Sequence, residues 1–127
     1  MLLIREEGPD DYDAVKELNR TVFGGEAEAQ LVDHLRNDGA VILSLVAVEN
    51  DEIVGHILFS ALAIETETGV LQAVSLAPMA VLPQHQRNGI GSALVWRGLE
   101  LCRERGKSIA PKRKLLSKTA ASKWSKK

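Results

Sequence analysis

Apolar residues along this chain change their spacing several times, and each spacing predicts a different element. A short apolar run near the start, LLIREE, predicts a strand. Two segments follow in which apolar residues recur every three or four positions, as in amphipathic helices. Asp10 is the expected N-cap of the first helix. The residues expected on its buried face are Ala14, Val15, Leu18 and Val22.

The second helical segment, EAEAQLVDHLRNDG, is expected to end at Gly39. The residues expected on its buried face are Ala27, Leu31 and Leu35. Two runs rich in β-branched residues come next, and the polar pair Asn50 and Asp51 between them predicts an antiparallel hairpin. A third run, VLQAVSLAPMAVL, follows another polar break. The predicted order is therefore β, α, α, β, β, β and a final helix.

Pro78 interrupts the last of these strands. Proline has no main-chain N–H to give to a neighbouring strand, so in sheets it lies at edges or at bulges. The residues around it, Leu76, Met79, Val81 and Leu82, nevertheless have the apolar character of buried positions. Two interpretations stay open: a bulged central strand from which one neighbour diverges, or an edge strand that ends early.

The segment after this strand, QHQRNGIGSALVWRGLELC, changes from polar and glycine-rich to helical. Its apolar pattern predicts a helix that begins near Gly89. The first turn of a helix leaves about four main-chain N–H groups without partners and carries the positive end of the helix dipole. Gly89 and Gly91 lack side chains and Arg87 adds a charge, so the amides of residues 87 to 91 are predicted to bind a phosphate group.

Two common phosphate-binding motifs do not fit this segment. The dinucleotide fingerprint requires a third glycine, where Leu94 stands, and a preceding βαβ unit. A P-loop requires Gly-Lys followed by Ser or Thr, which the segment lacks. On these residues alone, a structural turn with two glycines stays an alternative to a ligand site.

The element order, the proline in the fourth strand and the motif QRNGIG together resemble the GCN5-related N-acetyltransferase family, over about residues 2 to 106. The family signature is Gln or Arg, two residues, Gly, one residue, then Gly or Ala, and residues 86 to 91 match it without a gap. The resemblance implies an α/β (α+β) fold with a mixed, mostly antiparallel sheet flanked by helices. It also implies transfer of an acetyl group from acetyl-CoA to an amine, without a metal.

The same resemblance implies how acetyl-CoA binds. Its pyrophosphate is expected on the main-chain amides of the motif, and its pantetheine arm along the fourth strand in the manner of an added strand. The residues expected in this site are Met79, Ala80, Val81, Gln86, Arg87, Asn88, Gly89, Ile90, Gly91 and Ser92. In such enzymes the amine attacks the thioester directly, so Cys102 is expected in the core.

The general base stays unassigned. Glu65, Glu67 and His56 have suitable chemistry, but the glutamates also fit a solvated turn and His56 also fits a buried strand histidine. His85 is expected to face water. The amine acceptor is expected near residues 23–28 and 64–69, whose glutamates would attract a cation, although glutamates at such positions are also common surface residues.

Composition divides the chain in two. Hydrophobic residues make up 45% and charged residues 26%, as in one globular domain, and no apolar run is long enough to span a membrane. A cytoplasmic protein is therefore expected. Residues 1–106 contain all 17 acidic residues and eight basic ones, whereas residues 107–127 contain eight basic residues and no acidic one. We expect an acetyl-CoA-binding domain over 1–106, followed by a basic tail over 107–127 that is disordered or a short helix.

The chain departs from the family pattern after Gly106, where further strands and a helix are expected. The fourth strand would then expose an edge, which natural sheets avoid. Three explanations stay open: a truncated or frame-shifted product, a partner such as a second copy that covers the edge, or an evolved basic extension. The expected function is an N-acetyltransferase, either complete or lacking part of its catalytic machinery, with a non-catalytic CoA-binding module as the alternative. Nucleic acid is not an expected partner, because the tail lacks interleaved aromatic residues.

Overall fold

The computed structural model describes residues 1–106, and the expectations for residues 107–127 lie outside the described residues. Within residues 1–106 the helices and strands follow the predicted order. They are β1 (Leu2–Glu6), α1 (Tyr12–Phe23), α2 (Ala27–Asn37), β2 (Val41–Glu49), β3 (Glu52–Thr66), β4 (Gly69–Val81) and α3 (Ile90–Glu104). Short 3₁₀ turns at Pro9–Asp11 and Pro83–His85 precede α1 and α3.

The four strands form one antiparallel sheet in the order β1-β2-β3-β4. Helices cover both of its faces. Gly55 of β3 faces Ile90 and Leu94 of α3, whereas the next residue, His56, faces Asn19 of α1. Successive residues of a strand point to opposite faces, so α3 lies on one side of the sheet and α1 on the other.

The hairpin between β2 and β3 confirms the prediction from its polar turn. Glu49 pairs with Glu52, which leaves a two-residue connection. Its residues, Asn50 and Asp51, have φ angles of 51° and 65°. Tight hairpins of this kind require positive φ at both central residues, and Asn and Asp adopt that conformation more readily than most residues.

The start of α1 differs from the prediction by one residue. Asp11, and not Asp10, is the N-cap residue, because Pro9 opens a 3₁₀ turn that delays the helix. The Asp11 carboxylate accepts the N–H of Gly8 at 2.7 Å and pairs with Arg5 at 2.7 Å. These contacts fix the direction in which the chain leaves β1.

The buried faces of the two N-terminal helices were predicted only in part. In α1, Val15 and Leu18 are buried as expected. Ala14 is exposed, contrary to the prediction, and Asn19 is buried in addition. In α2 the buried residues are Ala29 and Val32. Ala27 and Leu31 are exposed and Leu35 is half-buried, so the prediction for this face was wrong at its first two positions. Apolar residues occupy a broad arc of α2, and only packing against the sheet selects which part is covered.

The core lies between α3 and the sheet. Its members include Leu45, Ile57, Phe59, Leu94 and Cys102, all at most 2% exposed. The buried position of Cys102 confirms the expectation that it is a core residue. At the centre, α3 approaches β3 so closely that Phe59 occupies the space where a side chain of residue 98 would begin. A residue other than glycine is therefore excluded there by packing.

We expect Gly98→Ala to destabilise the fold. Its Cβ would overlap Cζ and Cε1 of Phe59, and that ring is fully buried, so it has no free space into which to move. Overpacking of this kind costs about 1–3 kcal/mol. Urea unfolding measures the effect. Gly91→Ala in the same helix is the matched control, because its Cβ would meet Met79 at an ordinary 3.4 Å. Equal stability of the two variants would contradict the prediction.

Candidate functional site

The end of β4 contains the predicted irregularity. Ile57 pairs with Met79 and Phe59 pairs with Leu76, so two residues of β4 stand opposite the single residue 58 of β3. This is a bulge at Ala77 and Pro78. Among the described strands β4 also has only one neighbour, β3. Both features that the proline suggested, a bulge and a sheet edge, are thus present in the same strand.

A turn connects β4 to α3 and carries the motif QRNGIG. It leaves the sheet at Leu82, whose N–H donates to the carbonyl of Val54 at 2.9 Å. Two of its residues have left-handed main-chain conformations: Arg87 with φ 72° and Gly89 with φ 80°. Gly89 is the N-cap residue of α3, and no side chain caps the helix. The predicted helix start near Gly89 is confirmed.

The main-chain amides at this helix start are open. No hydrogen bond joins the N–H groups of residues 87 to 92 to another of residues 1–106. The first bond of the helix is from the N–H of Ala93 to the carbonyl of Gly89, at 3.0 Å. The dipole of a helix adds positive potential at this end. The turn therefore offers several donors to an anion, which favours a ligand site over a purely structural turn.

The two glycines of the motif have different surroundings. A Cβ on Gly89 would meet no atom within 4 Å, and its φ of 80° is one that side chains rarely adopt. A Cβ on Gly91 would instead meet Met79 at 3.4 Å and Val81 at 4.0 Å. The main-chain conformation at residue 89 therefore favours glycine, whereas the position of Gly91 beside β4 has room for a methyl group. The expectation that both glycines clear space for a ligand stays a prediction; the space around residue 89 is open, and the space around residue 91 is bounded by Met79.

The candidate bases Glu65 and Glu67 lie at the far end of the β3–β4 hairpin. Glu65 pairs with Val70, eight residues along β3 from Ile57, which pairs with Met79. Eight residues of extended strand span roughly 26 Å. Both glutamates are exposed. The structure therefore does not bring Glu65 and Glu67 to the end of β4. Both belong to the solvated end of the hairpin.

His56 is fully buried and belongs to a chain of polar side chains. Its Nε2 lies 2.9 Å from Oγ of Ser44, and that hydroxyl donates to Oε1 of Glu7 at 2.7 Å. Arg36 donates to both oxygens of Glu7 at 2.7 Å. Since the Ser44 hydroxyl gives its hydrogen to Glu7, His56 must donate from Nε2. Its Nδ1 then faces Nδ2 of Asn19 at 3.5 Å.

Sequence reasoning named only His56 of these five residues. Ser44 and His56 are polar residues inside largely apolar stretches of β2 and β3, as is Ser60, and this was the available signal. Glu7 and Arg36 gave none, because charged residues near loops and helix ends are ordinary surface residues. The Glu7 side chain is nevertheless only 1% exposed.

Comparison with known proteins identifies the fold family. A family model described as "Acetyltransferase (GNAT) domain" matches residues 3–111. The chain belongs to the GNAT acetyltransferase family. A GNAT acetyltransferase from Brucella melitensis, solved in complex with acetyl-CoA, has 34% identity and a TM-score of 0.78, over 84% of this chain and 71% of that one. The GNAT protein YhbS from Escherichia coli, solved in complex with CoA, has 36% identity and a TM-score of 0.75, over 84% and 58%.

Two curated relatives are similar in sequence. The uncharacterized N-acetyltransferase YhbS of Escherichia coli K12 is 38% identical over 106 residues, which are 83% of this chain and 62% of the relative. The uncharacterized N-acetyltransferase YjhQ of the same strain is 36% identical over 98 residues, 76% of this chain and 54% of the relative. This GNAT chain thus spans less than two thirds of the length of each.

Neither a metal site nor a membrane-spanning helix is found in the part of the chain that the structure describes. Within residues 1–106, no group of three or more His, Cys, Asp or Glu side chains is arranged to hold a metal ion. No helix of that part is long and apolar enough to cross a membrane.

In the expected acceptor region, Glu26 is engaged by Arg20, which donates to its two oxygens at 2.9 and 2.8 Å. The field of Glu26 on a cationic amine is correspondingly reduced.

The buried site of His56 lowers its pKa from 6.5 to about 4. Burial is the main cause, because it disfavours the charged imidazolium. The Arg36 guanidinium lowers the pKa further, and the Glu7 carboxylate opposes both effects. A neutral, fully buried imidazole has no access to an amine at the end of β4. His56 is therefore part of the packing of this GNAT fold.

We expect His56→Gln to remove an acid-sensitive part of the stability. The unfolded chain takes up the histidine proton near pH 6.5, whereas the folded chain takes it up only near pH 4. The unfolded state therefore binds more protons between these values, and the free energy of unfolding falls as the pH drops from 6.5 to 4. The slope is about 1.4 kcal/mol per pH unit for one proton, or roughly 3 kcal/mol over the window.

Urea unfolding of wild type and H56Q between pH 7 and pH 4 measures this difference. Other carboxylates contribute to both curves, so the difference between them isolates His56. His34→Gln, at an exposed position of α2, is the matched control and should follow the wild type. Equal slopes for wild type and H56Q would show that folding leaves the pKa of His56 unchanged.

Proposed function

We propose that this chain is an acetyl-CoA-dependent N-acetyltransferase that transfers an acetyl group to an amine, in the cytoplasm. The observation that carries the proposal is the row of open main-chain amides over residues 87 to 92, beside the bulged edge strand β4. The GNAT structures from Brucella melitensis and Escherichia coli that it resembles hold acetyl-CoA and CoA. Because the chain spans only part of its curated relatives, the activity of the whole chain is part of the proposal.

The residues present fit the chemistry of acetyl-CoA. A pyrophosphate suits the amides of residues 87 to 92, where Gly89 leaves the approach open and Arg87 adds a positive charge. A pantetheine arm carries two amide groups and suits the outer main chain of Met79, Ala80 and Val81, since β4 has one strand neighbour among the described residues. These two subsites meet where α3 packs on β4.

Acetyl-CoA supplies a thioester that is reactive toward amines. The amine nitrogen forms a bond to the acetyl carbon and the carbon–sulfur bond breaks, so that CoA leaves as a thiolate; the nitrogen loses a proton to solvent, and the thiolate takes one up to give the free thiol. The bulge at Ala77 and Pro78 interrupts the regular pairing of β4. A main-chain N–H released from that pairing is the kind of donor that stabilises the developing oxyanion. The remaining contribution of the chain is to hold the reactants together in the productive orientation.

The proposal assigns no side chain of residues 1–106 as the general base. His56 is buried and neutral, and Glu65 and Glu67 lie at the other end of the hairpin. The acceptor amine is likewise named only as a class. Cofactor binding is therefore the first test of the proposed function, and turnover with a panel of amines is the second.

Isothermal titration with CoA tests the proposed pyrophosphate subsite. We expect Gly89→Val to lower CoA affinity at least tenfold, because its side chain enters the open space and strains a φ of 80°. Arg87→Ala should lower affinity about fivefold, since the amides and the helix dipole remain. Gly39→Val is the matched control: its φ is 68°, nothing lies within 4 Å, and it follows α2.

Three results would contradict parts of this proposal. Unchanged affinity in G89V with an intact fold would place CoA elsewhere. An equal loss in G39V would show that the effect is a general loss of stability. Saturable CoA binding by wild type without thiol release from acetyl-CoA, across primary amines, polyamines and peptide N-termini, would leave a binding module and not a transferase.

We propose also that a second copy of the chain covers the exposed part of β4. Val70 on this strand is 62% exposed, and long unpaired edge strands are rare in natural proteins. Two β4 strands paired about a two-fold axis over residues 69–76 would cover that part of both edges and leave Met79, Ala80 and Val81 free for the pantetheine arm. Light scattering of the purified chain should then give twice the chain mass, and a monomer at micromolar concentration would contradict this part of the proposal.

A further inference from the structure

The side chain of Gln86 makes a hydrogen bond within the protein. Gln86 is the first residue of the motif QRNGIG, and its Nε2 donates to the main-chain carbonyl of Val81 at 2.9 Å. The bond is partly shielded from solvent and spans five residues. It connects the last residue of β4 to the residue that precedes the open amides. The donor of Gln86 is thus directed at the protein main chain.

Little else among residues 1–106 fixes this end of the turn. The N–H of His85 donates to the carbonyl of Leu82 at 2.8 Å, and the N–H of Gln86 donates to that of Pro83 at 3.3 Å, near the upper limit for such a bond. From there to the Ala93–Gly89 bond of α3, no main-chain N–H donates to a described residue. In that interval Arg87 holds a φ of 72°, which is unfavourable for a residue with a side chain.

The acceptor of this bond is also significant. The main chain of Val81 belongs to the subsite proposed for the pantetheine arm, and the amides after Gln86 form the subsite proposed for the pyrophosphate. A single bond from Gln86 to Val81 therefore couples the two subsites. A ligand that spans both pays less ordering entropy when their separation is fixed in advance.

We infer that Gln86 is a positioning residue, which sets the separation between the two halves of the cofactor site and does not itself bind phosphate. This inference rests on the proposed function and names the role of one residue in it. It differs from the sequence-based expectation, in which Gln86 was one of the cofactor-binding residues without a distinct role.

Gln86→Met removes the donor at nearly constant length. Gln84→Met is the matched control, because Gln84 lies exposed in the same turn and its side chain makes no hydrogen bond to residues 1–106. The probes are CoA, which spans both subsites, and adenosine 5′-diphosphate, which carries the diphosphate without the pantetheine arm. We expect Q86M to lower CoA affinity about fivefold and ADP affinity less than twofold, and Q84M to change neither.

A measurement without ligand tests the hydrogen bond from Gln86 to Val81 itself. In the unliganded protein, Q86M should broaden or shift the amide resonances of residues 82 to 91, whereas Q84M should leave those beyond its neighbours unchanged. Gln86→Arg supplies a longer side chain with donors that reach the same carbonyl, so Q86R should restore both the resonances and the CoA affinity. Gln86→Asn keeps the amide one methylene short of the carbonyl and should behave as Q86M does.

The outcomes separate two failures. Equal losses of CoA and ADP affinity in Q86M would make Gln86 a phosphate ligand and overturn the inference. Wild-type affinity in Q86M, or unchanged resonances, would overturn it as well, with the proposed function intact. If the wild-type chain binds neither probe, the proposed function fails and the inference fails with it.

Discussion

The close packing of the first turn of α3 on the end of β4 is the contact on which the candidate site depends. A Cβ on Gly91 would meet Met79 at an ordinary 3.4 Å, so the first turn of α3 lies beside β4, and Gly89 turns the chain with a positive φ immediately before it. The free N–H groups of a helix start are normally satisfied by a cap or by water. Here they open beside a bulged strand with one neighbour among the described strands, so a single long ligand can reach both.

The opposite face of the sheet is organised by polar contacts. Ser44 lies two residues from Val46, the partner of His56, so the two side chains meet diagonally across β2 and β3. A shift of one residue in register would turn them to opposite faces. Together with the pair of Glu7 and Arg36 they connect the end of β1, α2 and both central strands. Desolvation offsets much of the attraction in a buried ion pair. We therefore attribute to these polar contacts a role in fixing the strand register more than a large contribution to net stability.

The features that this chain shares with the GNAT family concern the fold more than the reaction. The core between α3 and the sheet, the hairpins and the motif turn are features of the GNAT fold, and they lie within the matched residues 3–111. Side chains that select a substrate vary within one fold. Glu26 is engaged by Arg20, and Glu65 and Glu67 lie far from the end of β4, so these three carboxylates do not identify a substrate.

The sequence by itself determined the order of elements, the β2–β3 turn at Asn50 and Asp51, and the start of α3, because each depends on local periodicity and on residues with special main-chain preferences. It also located the bulge through Pro78. Only the tertiary structure decided which arc of α2 is buried, why residue 98 is a glycine, and where Gln86 directs its donor. These depend on neighbours distant in sequence or on the path of a turn. The burial of Glu7 beside Arg36 and Ser44 is of the same kind: nothing local marks it, and the folded sheet creates it.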